Sequence, residues 1–244
     1  MTEIRYPILE LRQYTLRPGQ RDVLIDLFDR EFVETQEAAG MAVVGQFRDL
    51  ERPDRFVWIR GFSDMAARAG ALASFYTGPA WKAHGAAANA TMLDTDDVLL
   101  LRPVTAQSGF PAPPESRPPA GHVQADDPVI LGTLCFGDRP FSASFAGFFD
   151  RHVLPVLRAT GGAPLAVLQT EYAENTFPAL PVRTGEHVFA WLTRFASPVA
   201  LSSHLRALGD CDQWRTSVLP ALSALLVRAP EQLRLAPTPR SLLR

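Results

Sequence analysis

Cysteine pairs and histidine clusters are missing from this 244-residue chain, and their absence excludes the commonest metal sites. Cys135 and Cys211 are the only cysteines, and they form no CxxC pair. The five histidines are scattered singly, without the HxxxH or HExxH spacing that places two ligands on one helix face. The sequence therefore predicts no zinc or iron–sulfur site, and we expect no cofactor.

Charge and apolar runs exclude two further classes of protein. The chain has 24 basic and 26 acidic residues, so it offers no basic surface for nucleic acid. No apolar run approaches the roughly 20 residues that span a bilayer, and the charged N-terminus does not resemble a signal peptide. Motifs of the GxGxxG, P-loop and GxSxG types are also absent. We expect a cytoplasmic protein without a membrane span.

An internal repeat is the clearest pattern that the sequence contains. FDREFV at residues 28–33 recurs as FDRHVL at residues 149–154, an offset of 121 that also carries Gly40 onto Gly161. A second offset of 133 relates five apolar residues to five others: Phe56, Trp58, Phe62, Leu72 and Trp81 recur as Phe189, Trp191, Phe195, Leu205 and Trp214. The sequence thus predicts a tandem duplication.

The difference between the two offsets predicts a 12-residue insertion in the second copy. It must lie between Gly161 and Phe189, where the segment 175–185, rich in proline and glycine, favours an irregular loop. Between the copies, residues 105–127 contain five prolines and read as a semi-extended linker.

Each copy has the pattern of two strand–helix–strand halves. In the first, residues 8–16 alternate as a strand, a helix runs from Pro18 to Gly40, and residues 41–49 and 55–62 form a hairpin. Ser63 with Asp64 is a good start for the next helix, and a further helix precedes the closing strand.

The second copy repeats this order, although Pro155 should kink or shorten its first helix. A βαββαβ unit folds as a ferredoxin-like sandwich. We therefore predict an α+β protein in which two tandem ferredoxin-like units face each other as a dimeric α/β barrel. The predicted divisions are a first domain at 1–104, the linker at 105–127 and a second domain at 128–244.

Side-chain alternation separates two faces of the predicted sheet. Val57 and Ile59 are aliphatic and suit the helix layer, as do Leu9 and Leu11. The remaining residues of both strands are then expected in the barrel interior: Glu10, Arg12, Tyr14, Phe56, Trp58, Arg60 and Phe62.

These residues are the candidate site for an apolar ligand with one polar group. Arg12 and Arg60 could hold a carboxylate or polarise a carbonyl, and Tyr14 could donate a hydrogen bond or a proton. Arg60, Tyr14 and His84 are the catalytic candidates. The ligand-binding candidates are Glu10, Arg12, Phe56, Trp58, Phe62 and Tyr76.

A buried ion network is the competing interpretation, in which Glu10 only neutralises the arginines. The repeat favours a site, because Glu10, Arg12, Tyr14 and Arg60 correspond to Leu131, Thr133, Cys135 and Thr193. The second copy keeps the aromatic residues and loses the charges.

Residues of the helix predicted before the closing strand of the first copy are harder to assign. His84 could be a general base or a haem ligand, although a histidine packed on a tryptophan or at a helix end is commoner. Trp81 is expected in the core because both copies keep it, and Asn89 is expected to be structural.

Five segments resemble the NIPSNAP family: ELRQYTLRPG at 10–19, GQFRDL at 45–50, FVWIRGF at 56–62, FYTGPAWKAH at 75–84 and AANATML at 87–93. The resemblance covers most of residues 6–103, whereas the second copy fits only as a diverged relative. It implies the dimeric α/β barrel fold. It implies little about activity, since the family has interaction, trafficking and adaptor roles and neighbouring families include cofactor-free monooxygenases and haem enzymes.

Two functions of different classes follow from these observations. The first is a pocket in the N-terminal half that binds a small, mostly apolar molecule with an anionic or carbonyl group, with cofactor-independent catalysis as an extension. The second is a non-catalytic interaction or adaptor protein. Haem binding by His84 is a third interpretation. The outer surfaces are also compatible with a homo-oligomer.

Overall fold

The computed structural model describes residues 6–112, 116–119 and 127–244. Residues 1–5 of the predicted first domain and residues 113–115 and 120–126 of the predicted linker lie outside this part of the chain. Within the described residues, no helix is both long and apolar enough to cross a membrane.

The first half contains four strands and four α-helical segments. In chain order these are β1 (Ile8–Leu16), α1 (Arg21–Leu27), α2 (Val33–Ala38), β2 (Ala42–Asp49), β3 (Arg55–Phe62), α3 (Met65–Thr77), α4 (Pro79–Thr91) and β4 (Met92–Pro103).

The second half has the same order. Its elements are β5 (Val129–Gly137), α5 (Ala143–Phe148), α6 (Leu154–Ala159), β6 (Pro164–Thr170), β7 (His187–Phe195), α7 (Pro198–Asp210), α8 (Leu219–Ser223) and β8 (Glu231–Pro237).

The eight strands close into one antiparallel barrel in the order β1-β3-β2-β8-β5-β7-β6-β4. The halves join at two seams, where Phe47 of β2 pairs with Pro237 of β8 and Leu101 of β4 pairs with Thr170 of β6. Closure pairs the edge strands of both halves. The predicted fold class, two ferredoxin-like units forming a dimeric α/β barrel within one chain, is confirmed.

Corresponding residues of the two halves occupy the same positions in the sheet. Glu10 lies opposite Arg60 between β1 and β3, and Leu131 lies opposite Thr193 between β5 and β7. The offset of 121 therefore relates β1 to β5, and the offset of 133 relates β3 to β7. We interpret this correspondence as the tandem duplication.

Helix ends follow the local signals in the sequence. The side chain of Asp64 accepts a hydrogen bond from the Ala67 N–H at the start of α3, and Ser197 does the same for Ala200 in α7. Gly40 ends the first helix with a φ of +97°, a conformation that favours glycine.

The recurring FDR motif forms a π-helical turn in each half, at Phe28–Phe32 and at Phe149–Val153. Pro155 follows the second turn within the first positions of α6, where its missing N–H is tolerated. The helix therefore continues past Pro155 instead of ending early. Glu34 occupies the corresponding position in the first half, so proline does not cause the π turn.

The assignment of sheet faces made from the sequence is wrong. Leu9, Leu11, Val57 and Ile59 line the barrel interior, together with apolar residues from the other six strands. The candidate residues of β1 and β3 lie on the outer face, beneath the helices of the first half. Both faces of these strands are buried, so size and polarity alone did not distinguish them.

The described parts of the predicted linker pack against the barrel. Phe110 is buried as part of the barrel core. Arg117 donates hydrogen bonds to the backbone oxygens of Val43 and Arg240 and to the side chain of Glu37. This segment is therefore attached to both halves of the barrel.

Candidate functional site

A cavity of about 300 Å³ lies between the outer face of the first-half sheet and its helices. Aromatic rings form most of its wall: Tyr14 and Trp58 from the sheet, Phe28 and Phe32 from the π turn, and Phe75, Tyr76 and Trp81 from α3 and α4. Its volume is at the lower end of the roughly 300–1,000 Å³ typical of small-molecule sites.

The rings hold one another mainly in edge-to-face contacts. Phe28 packs on Trp58 with ring centroids 4.9 Å apart, and Tyr76 packs on Trp81 at 4.7 Å. The π turn places Phe28 and Phe32 side by side against this wall, with centroids 6.1 Å apart. The shape of the cavity is therefore fixed by interlocking aromatic side chains.

Four charged side chains are buried beside the cavity. Glu10 Oε1 lies 2.6 Å from Arg68 Nε, while Glu10 Oε2 lies 2.6 Å from Arg12 Nη1 and 2.7 Å from Arg60 Nη2. Each of the four side chains is at most 1% exposed. We call these four residues the arginine cluster.

The arginine cluster contains one carboxylate for three guanidinium groups. Burial would raise the pKa of Glu10, but Arg60, Arg12 and Arg68 outweigh it and lower the pKa to about 2. Guanidinium groups remain protonated in proteins. The cluster therefore has two positive charges in excess, which the part of the chain that the structure describes does not neutralise.

Two tyrosine hydroxyls connect the arginine cluster to the cavity. The Tyr14 hydroxyl accepts a hydrogen bond from Arg12 Nε at 2.9 Å, and the Tyr76 hydroxyl lies beside Arg60. Burial raises the pKa of Tyr76, so this hydroxyl keeps its proton at neutral pH. Both hydroxyls belong to residues of the cavity wall and can donate to an oxygen of a ligand.

Several buried polar atoms near the cavity have no hydrogen-bond partner among the described residues. Trp58 Nε1 and Gln36 Oε1 belong to residues of the cavity wall, and Arg68 Nη2 belongs to the arginine cluster. Buried polar atoms normally have partners, so these atoms are candidates to bind a ligand or water.

The second half closes one side of the cavity. The β6–β7 connection, residues 171–186, extends over the first half, where Phe177 stacks on Tyr76 and Leu180 joins the cavity wall. Arg68 donates hydrogen bonds to Asn175 Oδ1 at 2.9 Å and Thr176 Oγ1 at 3.2 Å. The β6–β7 connection, which lies where the two offsets predict an insertion, thus contributes to the cavity wall.

The corresponding region of the second half is packed without charges. Leu131 and Leu201 stand where Glu10 and Arg68 stand in the first half, and both belong to one apolar cluster. Phe145 replaces Leu24 of the cavity wall and packs on Phe189 at 4.9 Å.

The structure brings most of the predicted site residues together. Tyr14, Trp58 and Tyr76 line the cavity, and Glu10, Arg12 and Arg60 form the arginine cluster. Phe56 and Phe62 are buried behind them: Phe56 packs on Tyr14 and Phe28, and Phe62 lies 5.7 Å from the Arg60 guanidinium.

His84 does not belong to the cavity wall. It is partly exposed on α4, and its Nε2 lies 3.3 Å from a carboxylate oxygen of Glu31. The structure therefore does not place His84 with Tyr14 and Arg60. Trp81 packs against the hydrophobic core of the first half, and both Trp81 and Asn89 also line the cavity.

Arg68 is the residue that the sequence analysis missed. It precedes Leu72 and Phe75 by four and seven residues on α3, and all three are buried. That spacing places a charged residue on the apolar face of a helix. An arginine in an otherwise apolar stripe is the signal that could have found it.

The model of the NIPSNAP family matches residues 9–107. A candidate monooxygenase from Fusobacterium nucleatum superposes on 97% of this chain and 94% of its own, with a TM-score of 0.55 and 11% identity. An anthrone oxidase-like protein covers 95% of this chain and 91% of its own, with a TM-score of 0.53 and 13% identity.

An uncharacterized NIPSNAP-like domain protein from Burkholderia xenovorans is 25% identical over 46% of this chain and 95% of its own, with a TM-score of 0.40. No curated protein matches the chain. The two full-length similarities show a common fold.

Proposed function

We propose that the first half of the chain, in which residues 9–107 match the NIPSNAP family model, binds a small, mostly aromatic molecule with one anionic or carbonyl oxygen. The rings of the molecule occupy the aromatic cavity. Its oxygen lies at the end formed by Tyr14 and Tyr76, next to the arginine cluster.

The excess charge of the arginine cluster carries this proposal. A network that only stabilises the fold would be expected to balance its charges, because each uncompensated buried charge costs several kcal/mol. Here Glu10 is the only carboxylate among the described residues that pairs with Arg12, Arg60 and Arg68. An anionic ligand would supply part of the missing negative charge.

The second half supports the same interpretation. It keeps the strand register but has Leu131, Thr133, Thr193 and Leu201 at the positions of the four charged residues. A barrel of this kind therefore forms around apolar and hydroxyl residues at these positions. This comparison supports a role in ligand binding for the charges in the first half.

The two tyrosines define the chemistry that the cavity can perform. Because Tyr14 accepts from Arg12, its own hydroxyl hydrogen is available to a ligand oxygen. Donors fixed at the position of a developing oxyanion stabilise it in a site that excludes water. The cavity would thus favour the anionic form of a carbonyl compound or phenol whose proton is already acidic, without a cofactor.

Binding of 2-naphthoate, compared with neutral 2-naphthamide, tests the proposal by isothermal titration calorimetry. A hydrogen bond to a charged group contributes about 1.5–3 kcal/mol, so the carboxylate should bind about 10- to 100-fold more tightly than the amide. Arg12→Thr, which introduces the residue found at Thr133, should remove most of this preference.

Thr133→Val is the matched control, because Thr133 lies at the position of the second half that corresponds to Arg12. It should leave both affinities unchanged. Equal binding of the acid and the amide to the wild-type protein would contradict the proposal and favour an interaction or adaptor protein. Native mass spectrometry of freshly purified protein would show whether a small acid is carried from the cell.

A further inference from the structure

The β6–β7 connection is much longer than its counterpart in the first half. It comprises residues 171–186, whereas residues 50–54 join β2 and β3. Its two ends are attached to β4 of the first half: Glu171 N donates to Leu100 O at 2.9 Å and Arg183 N donates to Val98 O at 2.9 Å. The connection is therefore fixed on the other half of the barrel.

Asn175 organises the middle of this connection. Its Oδ1 accepts hydrogen bonds from Arg68 Nη1 at 2.9 Å and from Phe177 N at 3.1 Å, and its Nδ2 donates to Leu180 O at 2.9 Å. Thr176 Oγ1 donates to the Met65 backbone oxygen at 3.0 Å. The two residues that precede Phe177 are thus held against α3.

Phe177 forms a wall of the cavity at the boundary with solvent. Its ring stacks on Tyr76 with centroids 5.9 Å apart and an interplanar angle of 25°. It is half-buried, while Ala179 beside it is exposed and also lines the cavity. The walls formed by Phe28 and Trp58 are buried core residues, so a longer ligand would extend toward the solvent boundary, where Phe177 lines the cavity together with the exposed Asn89.

We propose that Phe177 is the residue that sets the size of the ligand, so that the second half of the chain determines the specificity of a site in the first half. This proposal rests on the proposed function. The cavity volume of about 300 Å³ is at the lower end of the range for small-molecule sites. A ligand that grows from the buried aromatic walls toward solvent meets the Phe177 side chain on this side of the cavity.

The test uses two ligand series with one, two and three rings: benzoate, 2-naphthoate and anthracene-2-carboxylate, and the corresponding neutral amides. Affinities are measured by calorimetry for the wild type, Phe177→Ala and Phe177→Leu. The wild type should bind the two-ring acid at least tenfold more tightly than the three-ring acid. Phe177→Ala should reverse this order, and Phe177→Leu should give an intermediate ratio.

Tyr172→Ala is the matched control, because Tyr172 is an exposed aromatic residue of the same connection and contacts His187 instead of the cavity. It should leave the ratio of affinities unchanged. Melting temperatures of all variants identify any loss of folding. The Phe177→Leu variant reduces the size of the side chain less than Phe177→Ala does and preserves an apolar contact with Tyr76.

The two ligand series distinguish this proposal from the proposed function. If acids and amides bind equally but Phe177→Ala still reverses the order of ring size, the charge preference is wrong and the size-setting role stands. If Phe177→Ala weakens all ligands by the same factor, the size-setting role is overturned. If no acid or amide binds the wild type at millimolar concentration, both proposals are overturned.

Discussion

Glu10 and Arg60 lie directly opposite each other on neighbouring strands, with Glu10 Oε2 2.8 Å from Arg60 Nε. Leu131 and Thr193 occupy the same relative positions in the second half. One chain thus contains a charged and an uncharged version of the same strand pair. This comparison separates what the fold requires from what the site requires.

Removing the carboxylate alone should destabilise the protein strongly. Glu10→Leu leaves three buried guanidinium groups without a counter-charge, and loss of one member of a buried ion network costs about 3–5 kcal/mol. Urea unfolding of the variant should therefore give a free energy of unfolding lower by this amount.

Replacing all four charged residues should restore most of that loss. The combined variant Glu10→Leu, Arg12→Thr, Arg60→Thr and Arg68→Leu has the residues of the second half, where an apolar cluster fills the same place. Its free energy of unfolding should lie within about 2 kcal/mol of the wild type, while 2-naphthoate binding is lost. A combined variant less stable than Glu10→Leu would show that the fold itself needs the ion network.

Acid should destabilise the protein through Glu10. Its pKa is lowered from the ordinary value of 4.5 to about 2 in the folded state, so ionised Glu10 stabilises the fold above pH 4.5. About 3 kcal/mol of this stability should be lost as the pH falls from about 5 to 2. The combined variant should lack this part of the pH dependence in denaturation curves measured across the range.

Asp29 should have the opposite effect on the pH dependence of stability, so that acid stabilises the folded protein through this residue. Burial raises its pKa from 3.8 to about 6, although Arg240 and Arg117 oppose the shift. A raised carboxyl pKa means that the folded state binds the proton more tightly, so stability rises as the pH falls from about 6 to 4.

Asp29→Asn should therefore stabilise the protein at pH 7.5, by about 1–2 kcal/mol after allowance for partial exposure. In the variant, the free energy of unfolding should also change less between pH 4 and 6 than it does in the wild type. Asp150→Asn is the control, since Asp150 is the exposed counterpart of Asp29 in the second half. A wild-type profile that falls steadily from pH 6 to 4 would contradict this assignment.

The two thiols should differ in reactivity. Burial raises the pKa of Cys135 to about 12, whereas Cys211 is only half-buried. A disulfide reagent at pH 8 should modify one thiol per native chain and two after denaturation. Cys211→Ser should abolish the native reaction, and modification of Cys135 in that folded variant would show that the second-half core opens.

Local patterns in the sequence determined the strands and helices and showed which of them correspond between the two halves. The FDR motif, Gly40, Asp64 and the aromatic residues at a fixed offset depend on short-range backbone and packing requirements, so they located the strands, the helices and the long β6–β7 connection. The same offsets identified the loss of charge in the second half. These predictions needed no knowledge of the tertiary structure.

Only the tertiary structure decided which sheet face carries the site and which residues complete it. Alternation separates Trp58 from Val57, but both faces of the strand are buried, so the pattern does not tell the barrel core from the helix layer. Arg68 and Phe177 reach the site through the packing of α3 and through closure of the barrel across its two seams. These contacts join residues more than fifty positions apart, and no local periodicity encodes them.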